Sequence, residues 1–265
     1  MPVLMPVLAS GVSSGKGRFM PLALFTDLHG NREALAACLE HAQRSGLTRF
    51  RFLGDYVGYG ADPGWVVDSV MAQVERGALA LLGNHDAAIA EGPEGMNETA
   101  AIAIEWTRTQ LDVTQRDFLA QLPLTREEDS RLYVHASADC PHEWHYVTDL
   151  YAASRSFTAT RVQATFCGHT HVPALYHMSA TGKIASFDPL ESVALPLSAN
   201  RRWLAVIGAV GQPRDGNPAA CYAILDTERG ALTYVRVPYD LDTAARKIRA
   251  AGLPPRLADR LYEGR

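Results

Sequence analysis

The chain has 265 residues, 47% of them hydrophobic and 20% charged, with a formal net charge of −4. No block of Lys or Arg supplies the electrostatic footprint that duplex nucleic acid needs, although short or single-stranded oligonucleotides stay open as substrates. No apolar run nears the roughly 18 residues of a membrane span. Four scattered cysteines (Cys38, Cys140, Cys167, Cys221) form no C-x-x-C pair and fit reduced thiols in a cytoplasmic protein.

Residues 1–20 open with two Met-Pro-Val repeats and a Ser/Gly stretch. They lack the basic and apolar regions of a secretory signal and read as a disordered tail before one domain over 21–265. The Gly11-to-Gly17 run has the wrong spacing for a phosphate-binding loop, and no strand precedes it. Pro21–Phe25 predicts a strand, followed by Thr26-Asp27-Leu28-His29-Gly30-Asn31. Asn31 is placed as the N-cap of a helix from Arg32 to about Gln43. Arg49–Leu53 predicts a second strand, closed by Gly54-Asp55-Tyr56-Val57-Gly58-Tyr59-Gly60. A helix follows Pro63, and the apolar run 78–82 predicts a third strand ending in Gly83-Asn84-His85-Asp86.

This strand–loop–helix rhythm argues for parallel pairing with right-handed crossovers. Helices are then expected over Glu98–Leu111 and Thr114–Gln121, the second with a Thr114/Asp117 capping box. Arg131–Val134 predicts a strand ending at His135. After a helix reaching about Phe157, Ala164–Phe166 predicts a strand ending at Gly168-His169-Thr170-His171. Short runs over 175–178, 183–186, 202–208, 220–225 and 232–237 predict a second, mostly antiparallel sheet. A last helix spans Asp242–Ala251 and stops at Gly252.

The strand ends gather Asp27, His29, Asp55, Asn84, His85, His135, His169 and His171, five of the nine histidines. Oxygen ligands from Asp and Asn with imidazole nitrogens suit Mn, Fe, Zn or Ni rather than Ca or Mg alone. So many ligands exceed one ion and suit two ions sharing a carboxylate. The ordered set Asp27-x-His29, Gly54-Asp55, Gly83-Asn84-His85-Asp86, His135 and Gly168-His169-Thr170-His171 resembles the calcineurin-like metallophosphoesterases. It is most similar to their small bacterial phosphodiesterases. The resemblance runs from about Leu22 to the C-terminus. It implies an α+β (α/β) fold: two packed mixed β-sheets flanked by helices in four αββα layers.

By the same resemblance, Asp27, His29 and His171 hold one divalent ion. Asn84, His135 and His169 hold a second, and Asp55 bridges them. The ions, Mn²⁺ or Fe first and Zn²⁺ or Ni²⁺ as alternatives, carry a hydroxide that attacks phosphorus in line. His85 then serves as general acid for the leaving group, with Asp86 orienting it. Asn31, Tyr59 and Arg214 are the candidate substrate contacts. The implied partner is a small phosphoester or nucleotide, with no membrane and no fixed oligomeric state.

Tyr59 stands where related dinucleoside tetraphosphatases and protein phosphatases carry Arg. This removes a bidentate phosphate contact and ranks dinucleoside polyphosphate, phosphomonoester and phosphoprotein hydrolysis below diester hydrolysis. A non-catalytic scaffold, as in some relatives, ranks lowest because His85 and all seven ligands are intact. The Cys140-Pro141-His142-Glu143-Trp144-His145 run reads as a solvated loop at the site mouth, with substrate contact as the alternative. Specificity is expected from loops 92–110, 137–150 and 209–218.

Overall fold

The structure, a computed structural model, describes residues 21–265. The expectations for residues 1–20 fall outside the described residues. Strand β1 (Leu22–Phe25) pairs in parallel with β2 (Arg49–Phe52), which pairs in parallel with β3 (Leu79–Ala80). Helices α1 (Arg32–Arg44) and α2 (Pro63–Glu75) make the crossovers. The Asn31 side chain caps α1 by accepting from the Ala34 N–H. On the other edge of β1 lies β11 (Ala220–Asp226), antiparallel, then β12 (Ala231–Val237) and β9 (Ala194–Pro196).

The second sheet runs β4 (Thr125–Glu128), β5 (Arg131–Val134), β6 (Ala164–Cys167), β10 (Arg201–Val206), β7 (Ala174–Ser179), β8 (Ile184–Phe187). Both sheets are mixed. Period-2 alternation sets their faces. Leu22 and Leu24 of β1 meet Phe166, Leu175, Trp203 and Ala205 in the layer between the sheets, whereas Ala23 and Phe25 face α1 and α2. On the outer face of the second sheet, Cys167, Leu204 and Val206 meet Ala153 and Phe157 of α6 (Leu150–Ala159). Burying each Leu or Phe here stabilises the fold by about 1.5–3 kcal/mol. Two C-terminal helices, α7 (Leu241–Ala250) and α8 (Pro255–Glu263), share a small core with α4 (Glu98–Gln110).

Several expectations are corrected. The late strands divide between the sheets: β7, β8 and β10 lie in the second, β11 and β12 in the first. Parallel pairing with β2 uses one edge of β1, and β11 satisfies the other, drawing β12 and β9 into the first sheet. The parallel pairs β5·β6 and β6·β10 make the second sheet mixed. The strand over 78–82 contracts to two residues, because helix α3 (Asn84–Glu91) begins directly at the motif. Helix α5 (Val113–Ala120) is capped two residues earlier than expected: Asp112 accepts from Gln115 N–H, and the Gln115 amide oxygen accepts from Asp112 N–H. Polar β4 and short β9 carried too little periodic signal to be expected, whereas α8 was not expected although Leu257, Ala258 and Leu261 recur at helical spacing.

Cys38, Cys167 and Cys221 are buried and Cys140 is exposed, all as free thiols. No helix among the described residues is long and apolar enough to cross a membrane.

Candidate metal centre

Five strands deliver their C-terminal ends to one rim, as open α/β sheets do at ligand sites. Asp27 and His29 follow β1, Asp55 follows β2, and Asn84 with His85 opens α3 after β3. His135 follows β5, and His169 and His171 follow β6. The loops are stitched together by main chain: Asp27 N–H donates to Gly54 O (3.0 Å), His29 N–H to Asp55 O (2.9 Å) and Gly168 N–H to His135 O (2.8 Å).

This closeness forces unusual backbone. Asp27, His29, Asp55, Tyr59, His169 and His171 all have φ between 47° and 67°. For residues bearing a Cβ this costs of order 1–3 kcal/mol each, and such strain clusters at functional sites where packing over-determines it.

The tautomers follow from the carbonyls. His29 Nδ1 lies 3.0 Å from Val57 O, His135 Nδ1 2.8 Å from Leu53 O and His171 Nδ1 2.6 Å from Gln212 O. A carbonyl only accepts, so each Nδ1 carries a proton and each Nε2 turns to the centre; against the effect of burial, Asp55 raises His135 to about 9, so its Nε2 would give up a proton on taking a metal. Yet His29 Nε2 and His171 Nε2 stand 3.0 Å apart, and His135 Nε2 stands 3.1 Å from Asn84 Oδ1 and 3.2 Å from His169 Nδ1. Ligating nitrogens and oxygens crowded this closely suit a cation's surroundings.

The carboxylates agree. Asp27 Oδ2 accepts from Thr26 Oγ1 and from the His169 N–H, leaving buried Oδ1 unpartnered 3.2 Å from His171 Nε2. Asp55 Oδ1 accepts from the His85 N–H at the α3 N-terminus (2.8 Å), where the helix dipole favours negative charge. Its Oδ2 sits between two histidine sets, 3.7 Å from His29 Nε2 and 3.3 Å from His135 Nε2. Two ligand groups result, Asp27-His29-Asp55-His171 and Asp55-His135-His169, sharing Asp55. The residues therefore fit a pair of divalent ions.

Burial pushes His29, His169 and His171 below the usual imidazole range, helped by neighbouring imidazoles at His29 and His169 and by Arg214 at His171. Burial would raise Asp55, but His135, His85 and His29 outweigh it and hold it well below the carboxylate range.

His85 stays off this cluster. Its ring packs edge-on against His29 (4.8 Å) and Tyr59 (4.5 Å), and its buried Nδ1 has no partner. Burial lowers it to about 4. Gly58 floors the ring: a Cβ there would collide with Nδ1.

Two expected roles are corrected. Asp86 makes no hydrogen bond to the His85 ring. Its carboxylate accepts from the N–H groups of Asp55 (2.8 Å), Tyr56 (2.9 Å), Gly83 (3.0 Å) and Val57 (3.4 Å), and so holds the loop that presents Asp55. Asn31 is consumed as a brace: besides capping α1, its Nδ2 donates to Gly211 O and Tyr239 Oη. No polar end of it is left for a substrate.

Tyr59, by contrast, borders the cleft beside the centre. The Arg214 guanidinium lies 5.6 Å from its ring centroid and donates to Gln212 Oε1. Sequence reasoning placed Trp144, 5.9 Å from the His135 ring, in a loop at the site mouth but did not single out Tyr146, stacked 4.1 Å on His169. Their signal was two aromatic residues in a loop with no apolar period. Cys140, His142 and Glu143 are exposed, as expected of a solvated loop.

Comparison with known proteins accords with this geometry. Residues 20–230 match the Calcineurin-like phosphoesterase superfamily domain. The chain belongs to that superfamily. An uncharacterised protein of Methanocaldococcus jannaschii is 33% identical over 250 residues, covering 92% of this chain and 98% of its own. The crystal structure of a metallophosphoesterase from Sphaerobacter thermophilus superposes with a TM-score of 0.81 at 34% identity, covering 93% of this chain and 99% of that one. A hypothetical protein of Pyrococcus horikoshii shares the fold at a TM-score of 0.75 and 18% identity, with coverages of 93% and 99%. Superfamily members are phosphoester hydrolases that use paired divalent metals, and the Asp/His groups here provide ligands for such a pair.

Proposed function

We propose that the protein is a dimetal phosphodiesterase acting on a small diester or nucleotide in a reducing, cytoplasmic setting, with Mn²⁺ or Fe as the favoured ions. The observation that carries this reading is Asp55 Oδ2 lying between two histidine sets whose ring nitrogens converge, beside a histidine that binds neither. Asp27, His29 and His171 would hold one ion, and Asn84, His135 and His169 the other, with Asp55 shared. The ions would supply positive charge for the phosphoryl oxygens and lower the pKa of the attacking water.

The chain's residues do the rest. Carbonyls of Val57, Leu53 and Gln212 fix the imidazole tautomers. Asp86 fixes the Asp55 loop. His85, floored by Gly58 and flanked by Tyr59, delivers a proton to the leaving oxygen, a role typically worth about 10²–10⁴-fold. Arg214, held against Tyr59 by Gln212, offers a guanidinium to a phosphoryl oxygen.

That same guanidinium supports hydrolysis of monoesters or dinucleoside polyphosphates as the second reading. The test is hydrolysis of bis(p-nitrophenyl) phosphate by Mn²⁺-loaded protein against an Asp55→Ala control. Turnover confined to the wild type is expected, and none above the control would overturn the reading. A dinucleoside tetraphosphate turned over far faster than any diester would reverse the ranking.

A further inference from the structure

A cleft of about 490 Å³ opens beside the metal centre, between α3 and the loop that carries Trp144. Its inner end is made by Asn84, His85 and His169. His85 is only 4% exposed and its Nδ1 has no partner. The walls combine three aromatic rings, Tyr59, Trp144 and Tyr146, with three carboxylates, Glu91, Glu94 and Glu143. The rings are anchored on the centre: Tyr146 on His169, Trp144 on His135 and Tyr59 on His85.

No Lys or Arg is among the lining residues, Arg214 standing behind the cleft over the Tyr59 ring, and Glu91 and Glu94 have no ion-pair or hydrogen-bond partner among the described residues. Glu143 pairs with exposed His142, outside the lining. Unneutralised carboxylates beside aromatic faces repel a polyanion and attract a cation, because ring quadrupoles and carboxylates are both negative toward it. Since His85 lines the cleft, the group lodged there is the one that leaves.

We infer that the substrate is a phosphodiester whose leaving alcohol carries an alkylammonium group. This inference rests on the diesterase reading and adds the substrate class to it. In the reaction a water oxygen bonds to phosphorus and the P–O bond to the ammonium-bearing alcohol breaks. His85, protonated from solvent beforehand, gives its proton to the leaving oxygen as imidazolium, and the proton released by the attacking water restores it. One water is consumed, giving a phosphomonoester and a free ammonium alcohol.

The test separates the two readings. Calorimetry with Mn²⁺-loaded protein compares choline with 3,3-dimethylbutan-1-ol, its uncharged isostere, and ethanolamine in parallel distinguishes a quaternary from a primary ammonium. Choline is expected to bind about tenfold tighter than the isostere. Raising salt from about 0.05 to 0.5 M should weaken choline but not the isostere. The Glu91→Gln/Glu94→Gln variant should lose about tenfold in choline affinity alone. Equal binding of choline and the isostere in wild-type protein overturns the inference, even where bis(p-nitrophenyl) phosphate is hydrolysed. A choline preference without that hydrolysis upholds the cation site and overturns the diesterase reading instead.

Discussion

Replacing Gly58 by Ala tests the role of His85 without touching a metal ligand. Gly58 has φ 81°, and a Cβ there would run into His85 Nδ1. Left-handed backbone at Ala costs about 1–2 kcal/mol. The collision cannot be relieved within the site, because His85 is wedged between the His29 and Tyr59 rings. The imidazole must therefore shift toward the cleft. Misplacing a reacting group by about 1 Å costs roughly 10²-fold, and losing proton delivery altogether costs about 10²–10⁴-fold.

The leaving group supplies the diagnostic. A p-nitrophenolate departs unaided, whereas an alkoxide needs its proton. Gly58→Ala should therefore lower kcat about 100-fold on an alkyl diester and only a few-fold on bis(p-nitrophenyl) phosphate, with two ions still bound. Adding His85→Ala should cost nothing beyond His85→Ala alone, because both changes remove one function. Equal losses on the two substrates, or loss of metal, would refute this assignment of His85.

Three further outcomes are expected. Asp86→Ala strips a carboxylate from four buried N–H donors; urea unfolding of the metal-free protein should show a loss of about 3–5 kcal/mol and titration should show weaker Mn²⁺ binding, and a loss under about 0.5 kcal/mol would contradict the bracing role. Phe166→Ala empties a fully buried position stacked on Tyr133 at 5.6 Å, so stability should fall by about 3–5 kcal/mol while metal content per folded chain stays unchanged. Arg214→Lys loses the guanidinium over the Tyr59 ring and the fork to Gln212; KM should rise about 5–30-fold with a smaller change in kcat, and unaltered KM would remove Arg214 from the substrate's path.

Much of the site was legible because it depends on residue types at strand ends. Apolar runs mark the strands, and the clusters that follow them fall on one rim wherever the strands pair in parallel. What the spacing could not carry was the use of each side chain. Asp86 and Asn31 are polar residues inside motifs, yet their oxygen atoms meet backbone N–H groups. Only the folded chain reveals that those N–H groups lacked other partners. The sheet assignment failed for a related reason. An antiparallel run looks the same in sequence whichever sheet it joins, and β11 joined the first because one edge of β1 was free. Tyr146 and Trp144 lie in irregular chain, where no periodicity announces that a ring faces a histidine.

The central claim is a pair of ions sharing Asp55. Elemental analysis of Mn²⁺-reconstituted protein after gel filtration tests it most directly. Wild-type protein should hold two ions per chain, and Asp55→Asn no more than one, with turnover lost in step. One ion in a fully active wild type, or two retained by Asp55→Asn, would contradict the account.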